Sequence, residues 1–445
     1  MIFTQFVDDA LGCASYLVGD PGTGEAVLVD PSYAIEQYLE EADRRGVRIV
    51  RVIETHTHAD HLSGHGRLAL EHGIPVSVHR IAGAEYPHDP LEDGDEIVLG
   101  DIVLRCIHTP GHRPEHSCIA VIDRSRGPEP WIVLTGDSLF VGDAARPDLA
   151  VEAHEGAEGL FHSLQRLVEL GDGVEVYPGH VAGSLCGKAM SSKASTTIGF
   201  ERRFNPALAF SDANAFIADS AAITAPRPPN MERIVELNRG PWVGAQPEVQ
   251  ELAGPPAGAQ VLDVRPVDDF AAGHLAGALS VPVSGTRFAT KAGFVLDHER
   301  PVIVEASDFA EAQAAIRGLH SVGLLDVAGY VLGGGPETME LVSMEELDAL
   351  IEDGATLVDV REPDEYEVGQ IPGSVNLPYR LMTAGEIDLA GDRPVVTVCE
   401  TGLRAVIGAS ILAARGFDAH AVADGGIDTW AAAGKPTVAI RGYGS

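Results

Sequence analysis

The sequence predicts an α/β protein of three consecutive domains, a larger one followed by two small ones of like kind. Three observations carry this. Apolar runs of strand type recur through the first half: EAVLVDP (25–31), RIVRVIETH (48–56), IVLRCIHTPGH (102–112), WIVLTGD (131–137) and VEVYPGH (174–180). They are bounded by Gly, Pro or Asp, and helical spacing of apolar residues lies between them, as at 34–45 and 157–170. A stretch rich in Pro, Gly and polar residues, 222–258, then reads as a connection. Beyond it the chain repeats. DVRPVDDFAAGHLAGALSVP starts at Asp263, and DVREPDEYEVGQIPGSVNLP starts at Asp359, 96 positions later, with seven of twenty positions identical. That period is too long for a solenoid and implies two copies of a small α/β domain.

The bulk numbers set limits. A chain of 445 residues, 45% of them hydrophobic, can build two or three cores. Its formal charge is −35, with 66 acidic residues against 31 Lys and Arg, of which only four are Lys. Such a field repels nucleic acid and anionic membranes. Five cysteines (Cys13, Cys106, Cys118, Cys186, Cys399) form no C-x-x-C pair, which points to a reducing compartment, the cytoplasm. The first twenty residues lack the basic and long apolar segments of a secretory leader, so none is expected. No run reaches the roughly 18 apolar residues of a membrane span.

The chemistry-bearing residues sit where the strands end. THTHADHLSG (55–64) supplies His56, His58, Asp60 and His61; TPGH supplies His112, TGDSLF Asp137 and YPGH His180. Each follows a strand-like run, the place where open α/β folds gather their sites. Imidazole and carboxylate together suit Zn, Fe or Mn. These motifs resemble the metallo-β-lactamase superfold, an αββα sandwich, over residues 1–243. Two branches of it fit: the glyoxalase II type, a thioester hydrolase with two metals, and the persulfide dioxygenase type with one iron. VGDAARPDL (141–149) and TTIGFERRFNP (196–206) are similar to segments of the second branch.

That resemblance implies one Fe(II) per chain, held by His56, His112 and Asp137. Two histidines and a carboxylate leave three positions open, room for a substrate sulfur and O2. His58, Asp60, His61 and His180 would then orient the ligands. In the hydrolase reading the same four become ligands and Asp137 bridges two zinc ions. The residue types are the same in both readings, so both stay open at this point. His116 and Cys118 are expected to pack beside His112, Cys13 and Cys106 to lie in the core, Arg146 to anchor an anionic substrate or be an ordinary surface arginine, and Cys186 to approach the metal and carry a sulfur or be a buried structural cysteine.

The two repeats, 244–340 and 341–445, resemble rhodanese domains. In the second, RPVVTVCETGLRA (393–405) runs from a strand through Cys399 to Arg404 and an apolar helix. Loop N–H groups and a helix N-terminus stabilise a sulfur anion there. Arg404 is expected to add charge for sulfite or thiosulfate. The first copy reads RPVIVEASDFAEA (300–312), with Glu305 or Ala306 where the cysteine would stand. It cannot carry a persulfide and is expected to act as a spacer or docking platform, and His274 to be structural. The whole arrangement resembles bacterial persulfide dioxygenase–sulfurtransferase fusions. It implies oxidation of small thiol persulfides by O2 to sulfite, then thiosulfate formation at Cys399, in a cytoplasmic homo-oligomer. The alternative is a zinc glyoxalase II-like hydrolase with rhodanese partners. A sulfur relay in which only Cys399 works is disfavoured by the complete ligand set.

Overall fold

Two six-stranded sheets and their flanking helices build the N-terminal half of this computed structural model, which describes residues 1–148, 150, 152–181, 191, 193–220 and 226–439. The chain divides into two compact units: residues 1–246 with 320–323, and residues 247–319 with 324–445.

In the first unit, sheet one runs β1 (Ile2–Asp8), β2 (Cys13–Asp20), β3 (Glu25–Val29), β4 (Arg48–Glu54), β5 (Val76–His79), β6 (Asp89–Leu91) in spatial order. Sheet two contains β7 (Glu96–Leu99), β8 (Ile102–His108), β9 (Ser117–Asp123), β10 (Ile132–Gly136), β11 (Glu175–Pro178) and β12 (Thr196–Thr197), again in order. Helices α1 (Glu36–Arg45) and α2 (His65–His72) interrupt the first sheet; α3 (Ala153–Val168), α4 (Ile198–Phe204), α5 (Ala213–Ser220) and α6 (Met231–Arg239) follow β10 in the chain.

The period of two along each strand decides the layering. Tyr16, Val18, Val27 and Val29 point into one cluster with Ile119, Val121, Ile132 and Leu134 of the other sheet. Their neighbours Leu17 and Leu28 face the opposite way, onto Tyr38 and Ala42 of α1 and Leu68 of α2. Ala120 and Val133 likewise turn outward onto Leu160, Leu164 and Leu167 of α3 and Phe216 of α5. The result is helix, sheet, sheet, helix, the expected αββα sandwich. Strands buried on both faces explain why the runs read as continuously apolar. A fully buried leucine such as Leu17 contributes roughly 1.5–3 kcal/mol by leaving water.

The second unit holds two parallel sheets. One is ordered β14 (Leu279–Ser280), β13 (Gln260–Asp263), β15 (Val302–Ala306), β16 (Val327–Leu332). The other is ordered β17 (Leu341–Val342), β21 (Ala419–Val422), β20 (Val395–Val398), β18 (Thr356–Asp359), β19 (Val375–Asn376). Helices α7 (Val267–Ala272), α8 (Phe288–Val295) and α9 (Phe309–Ser321) serve the first, and α10 (Leu347–Glu352), α11 (Pro363–Val368), α12 (Leu403–Ala414) and α13 (Ile427–Ala432) the second.

The identities shared by the repeats have a physical cause. Asp263 binds the guanidinium of Arg265, and Asp359 that of Arg361, at 2.5 and 2.7 Å, all four buried. Each arginine also donates to a glycine carbonyl that ends the next helix, Gly273 or Gly369, at 2.6 Å. A buried charge must be paired and its remaining donors satisfied, so Asp, Arg and Gly recur together. His274 is structural as expected: its ring N–H donates to the Phe270 carbonyl (2.8 Å) and stacks on the Phe270 ring.

Strand register locates the position in the first repeat that matches Cys399. Asp263 pairs with Glu305, and Asp359 with Val398. Ala306 therefore stands where Cys399 stands, and Glu305 is the strand residue before it. Its carboxylate is buried and accepts from the backbone N–H of Leu275 (3.1 Å). Burial, reinforced by Asp263, pushes it up to about 7. A carboxyl whose folded value is raised stabilises the fold below its ordinary range near 4.5 and loses that contribution as pH rises through 7. Glu305→Gln should therefore flatten the stability loss between pH 5 and 8, retaining on the order of 1–3 kcal/mol at pH 8 relative to the parent. Denaturant midpoints of both proteins at the two pH values check this.

Candidate functional site

Strand direction brings the metal-type residues to one edge of sheet two. β9 is antiparallel to β8 and to β10, and β10 is parallel to β11. β8, β10 and β11 thus run the same way, and His112, Asp137 and His180 all leave at their C-terminal ends. His56 follows β4 of sheet one. Gly136, just before Asp137, has φ +46°, and a Cβ there would lie 2.7 Å from His116 Nε2 and Thr55 Oγ1. Only glycine fits that crossing, which aims Asp137 inward.

His56, His112 and Asp137 each offer a ligand atom within 4.8 Å of the others, and all three side chains are buried. Asp137 Oδ2 lies 3.9 Å from His56 Nε2 and 3.6 Å from His112 Nε2. Among the described residues it has no hydrogen-bond partner. An unsatisfied buried carboxylate oxygen costs roughly 1–3 kcal/mol or more, so the geometry fits a cation between these atoms.

The surroundings prepare both imidazoles. The Thr55 hydroxyl donates to Asp30 Oδ2 (2.8 Å), so His56 Nδ1–H donates to Thr55 Oγ1 (2.9 Å). His112 Nδ1–H donates to the Arg146 carbonyl (3.1 Å). In both rings the Nε2 lone pair is left facing Asp137. Burial holds both rings below the usual histidine range, helped at His56 by the neighbouring His58 and His112. Neutral imidazole is the form a metal needs.

The other four histidine and aspartate candidates are placed differently. His180 Nδ1 donates to Asp137 Oδ1 (2.6 Å) and its Nε2 to Asp60 Oδ2 (2.7 Å). Burial opposes its charge, but the two carboxylates win and lift it to about 10. Asp60 also meets His61 Nδ1 at 3.2 Å. His58 turns away from the triad. Its Nε2 lies 3.3 Å from Asp30 Oδ1 and 3.2 Å from Glu54 Oε2, and these carboxylates outweigh burial and raise it well above the ordinary value. Two further groupings with ligand-like spacing result, His58–Asp60–His61 and Asp30–Glu54–His58.

Arg146 reaches the site through its carbonyl. Its guanidinium binds Asp148 (2.7 Å, two bonds) and the Pro226 carbonyl (2.8 Å). Cys186 lies outside the described residues. Cys13, Cys106 and Cys118 are buried. His116 does more than pack: its Nε2 accepts from the Asp137 backbone N–H (2.9 Å), while its Nδ1–H donates to the Thr109 carbonyl (3.1 Å). Sequence reasoning missed Asp30, Glu54, Thr55 and Asn238. The Asn238 amide donates to the carbonyls of His58 and His61 (3.0 and 2.9 Å), pinning the motif loop from α6, about 180 positions away. Only Thr55, inside the motif itself, carried a local signal.

In the second unit, Cys399 is buried between β20 and α12. Gly402 N–H donates to its Sγ at 3.1 Å. Gly402 has φ +103°, and a Cβ there would meet the Ala423 carbonyl at 2.4 Å, so the loop depends on glycine. Four residues, 399–402, join β20 to α12; the first repeat has only 307–308 between β15 and α9. Arg404 forms two bonds to Glu365 (2.6 and 2.7 Å) and one to Glu400 (3.2 Å).

Residues 8–180 match the metallo-beta-lactamase superfamily model, and residues 343–433 match the rhodanese-like domain model. The chain is 30% identical over 227 residues to the mitochondrial persulfide dioxygenase of Bos taurus, covering 50% of this chain and 82% of that protein. The chain belongs to the persulfide dioxygenase family of the metallo-β-lactamase superfamily. It is also 33% identical over 170 residues to a hydroxyacylglutathione hydrolase of Maricaulis maris, covering 37% of this chain and 60% of that one. A solved metallo-beta-lactamase from Staphylococcus aureus subsp. aureus COL matches with TM-score 0.69 and 29% identity, over 75% of this chain and 99% of its own. The family is thus joined in one chain to a rhodanese-like domain. No helix among the described residues is long and apolar enough to cross a membrane.

Proposed function

We propose that the first unit is a persulfide dioxygenase working with one Fe(II) per chain, and that Cys399 is the nucleophile of a coupled sulfurtransferase. A small thiol persulfide, O2 and water give the free thiol and sulfite; sulfite then takes a sulfane sulfur from Cys399 to become thiosulfate. The observation that carries this reading is the division of Asp137: one oxygen is claimed by His180, and the other, without a hydrogen-bond partner among the described residues, lies beside the imidazoles of His56 and His112. Iron held there supplies open coordination positions and a one-electron redox couple. The chain's own residues do the rest. Thr55 and the Arg146 carbonyl fix which imidazole nitrogen faces inward. His180, bonded to Asp137 and Asp60, balances the negative charge. The Asn238 amide holds the loop.

His180 also supports a single metal, because both its ring nitrogens already serve carboxylates. A second reading, the two-zinc thioester hydrolase, draws support from the His58–Asp60–His61 grouping and from the Maricaulis relative. The fusion favours the first reading, since a thioester hydrolase has no evident use for a sulfane-sulfur carrier, and the sparse cysteines, without a C-x-x-C pair, accord with the cytoplasm. Metal analysis of the purified chain with O2 consumption on glutathione persulfide separates the two. One iron per chain with O2 uptake and sulfite release is expected. Two zinc ions per chain, no O2 uptake and hydrolysis of an acylated glutathione would overturn it.

A further inference from the structure

Arg404 cannot serve alone as the cation for an anionic sulfur substrate. Its guanidinium is claimed by Glu365 and Glu400, so the trio of charges is net negative. The chain as a whole carries −35. An oxyanion such as sulfite or thiosulfate approaching Cys399 therefore needs a further positive group.

The cysteine-less repeat provides one. Its segment from β14 to α8 packs on the Cys399 side of the second repeat. Ser280 N–H donates to Ser410 Oγ of α12 (3.0 Å). A Cβ on Gly285 would lie 3.2 Å from Leu403 Cδ2, in the first turn of α12 next to Arg404. Phe294 of α8 meets Tyr379, ring centroids 6.4 Å apart. Lys291, one of only four lysines, lies on this same helix and is 9% exposed. Its Nζ donates to the Thr286 carbonyl (2.7 Å), next to Gly285. Among the described residues it has no ion pair, so two N–H donors stay unclaimed. Burial and the charges of Arg287 and Arg404 pull its ammonium down to about 8, while Cys399 acts the other way. Through Thr286 and its neighbour Gly285 the ammonium is held on the side of the first turn of α12, which follows the Cys399 loop, and at about 8 it is still protonated at neutral pH. A lysine kept buried among cations gains most when an anion arrives.

We propose that the cysteine-less repeat completes the sulfurtransferase site, with Lys291 as the specificity-determining cation that draws a small sulfur oxyanion to Cys399. This rests on the reading of Cys399 as a sulfur carrier. In the step it serves, the sulfur lone pair of sulfite attacks the outer sulfur of the Cys399 persulfide. A new S–S bond forms, the bond to Sγ breaks, and its electron pair returns to Sγ as thiolate. Thiosulfate leaves, and no outside oxidant is needed. The oxyanion's negative oxygens face Lys291.

Two measurements on the full chain test this. In Lys291→Gln, KM for thiosulfate in sulfur transfer to cyanide should rise about tenfold with kcat within about twofold, and Lys291→Arg should recover most of it. Alkylation of Cys399, followed by mass spectrometry of its peptide, should slow about tenfold with iodoacetate and hardly at all with neutral iodoacetamide. Equal slowing with both reagents, or an unchanged KM, would overturn the proposal by leaving Lys291 a packing role only. If the parent transfers no sulfur, the reading of Cys399 fails, while the alkylation ratio still decides whether Lys291 draws anions to it.

Discussion

His112→Ala should lower iron content and O2 uptake with glutathione persulfide by at least about 100-fold, since changes even one layer out from a metal cost 10–100-fold. His112 brings a lone pair already aimed, because its Nδ1–H is held by the Arg146 carbonyl at 3.1 Å. Removing the ring leaves Asp137 Oδ2 facing one imidazole instead of two. Sulfur transfer from thiosulfate at Cys399 should stay within about twofold, which separates loss of the metal site from general unfolding. His58→Gln is the informative contrast. His58 faces Asp30 and Glu54 at 3.3 and 3.2 Å, not the triad. Under the single-iron reading it should keep most of its iron. Loss of metal equal to that of His112→Ala would argue that His58 is itself a ligand, as the two-zinc reading requires.

Cys399→Ser should abolish sulfur transfer, with a loss of about 1,000-fold or more, because a serine hydroxyl at neutral pH is neither ionised nor able to carry a sulfane sulfur. O2 uptake should stay within about twofold, and the product of persulfide oxidation should shift from thiosulfate to sulfite. The substitution is nearly isosteric, and Gly402 N–H can donate to the hydroxyl as it does to Sγ. Folding should therefore be intact, checked by unchanged thermal midpoints. Undiminished thiosulfate output with short reaction times and low free sulfite would sink the coupled scheme.

Much of this was legible in the chain because it depends on short range. Apolar strand runs with a residue of metal type at each end, TPGH, TGDSLF and YPGH, state both strand and site in a few letters. The repeat around Asp263 and Asp359 announced two like domains, and the buried Asp–Arg pairs with their glycine carbonyls explain why those letters recur. Cys399, Gly402 and Arg404 lie within one strand–loop–helix turn, so their proximity is local.

What decides between roles is not local. His58 and His56 are two positions apart with the same side chain, yet one faces Asp137 and the other Asp30 and Glu54. Asp30 comes from the end of β3, and Asn238 reaches the same loop from α6. Ala306, not Glu305, proved to occupy the cysteine position only once strand register was known. Arg146 and Arg404 were read from sequence as anion binders, and only the fold shows that the first pairs with Asp148 and the second with Glu365 and Glu400. By itself the sequence pointed to the αββα class, through the resemblance of its motifs, to a repeated small domain and to the candidate residues for a metal or a sulfur. Tertiary structure alone decided which buried nitrogen and oxygen atoms are left without a partner among the described residues. Charge and hydrogen-bond satisfaction are settled between segments far apart in the chain, and the groups left unsatisfied are those available for chemistry.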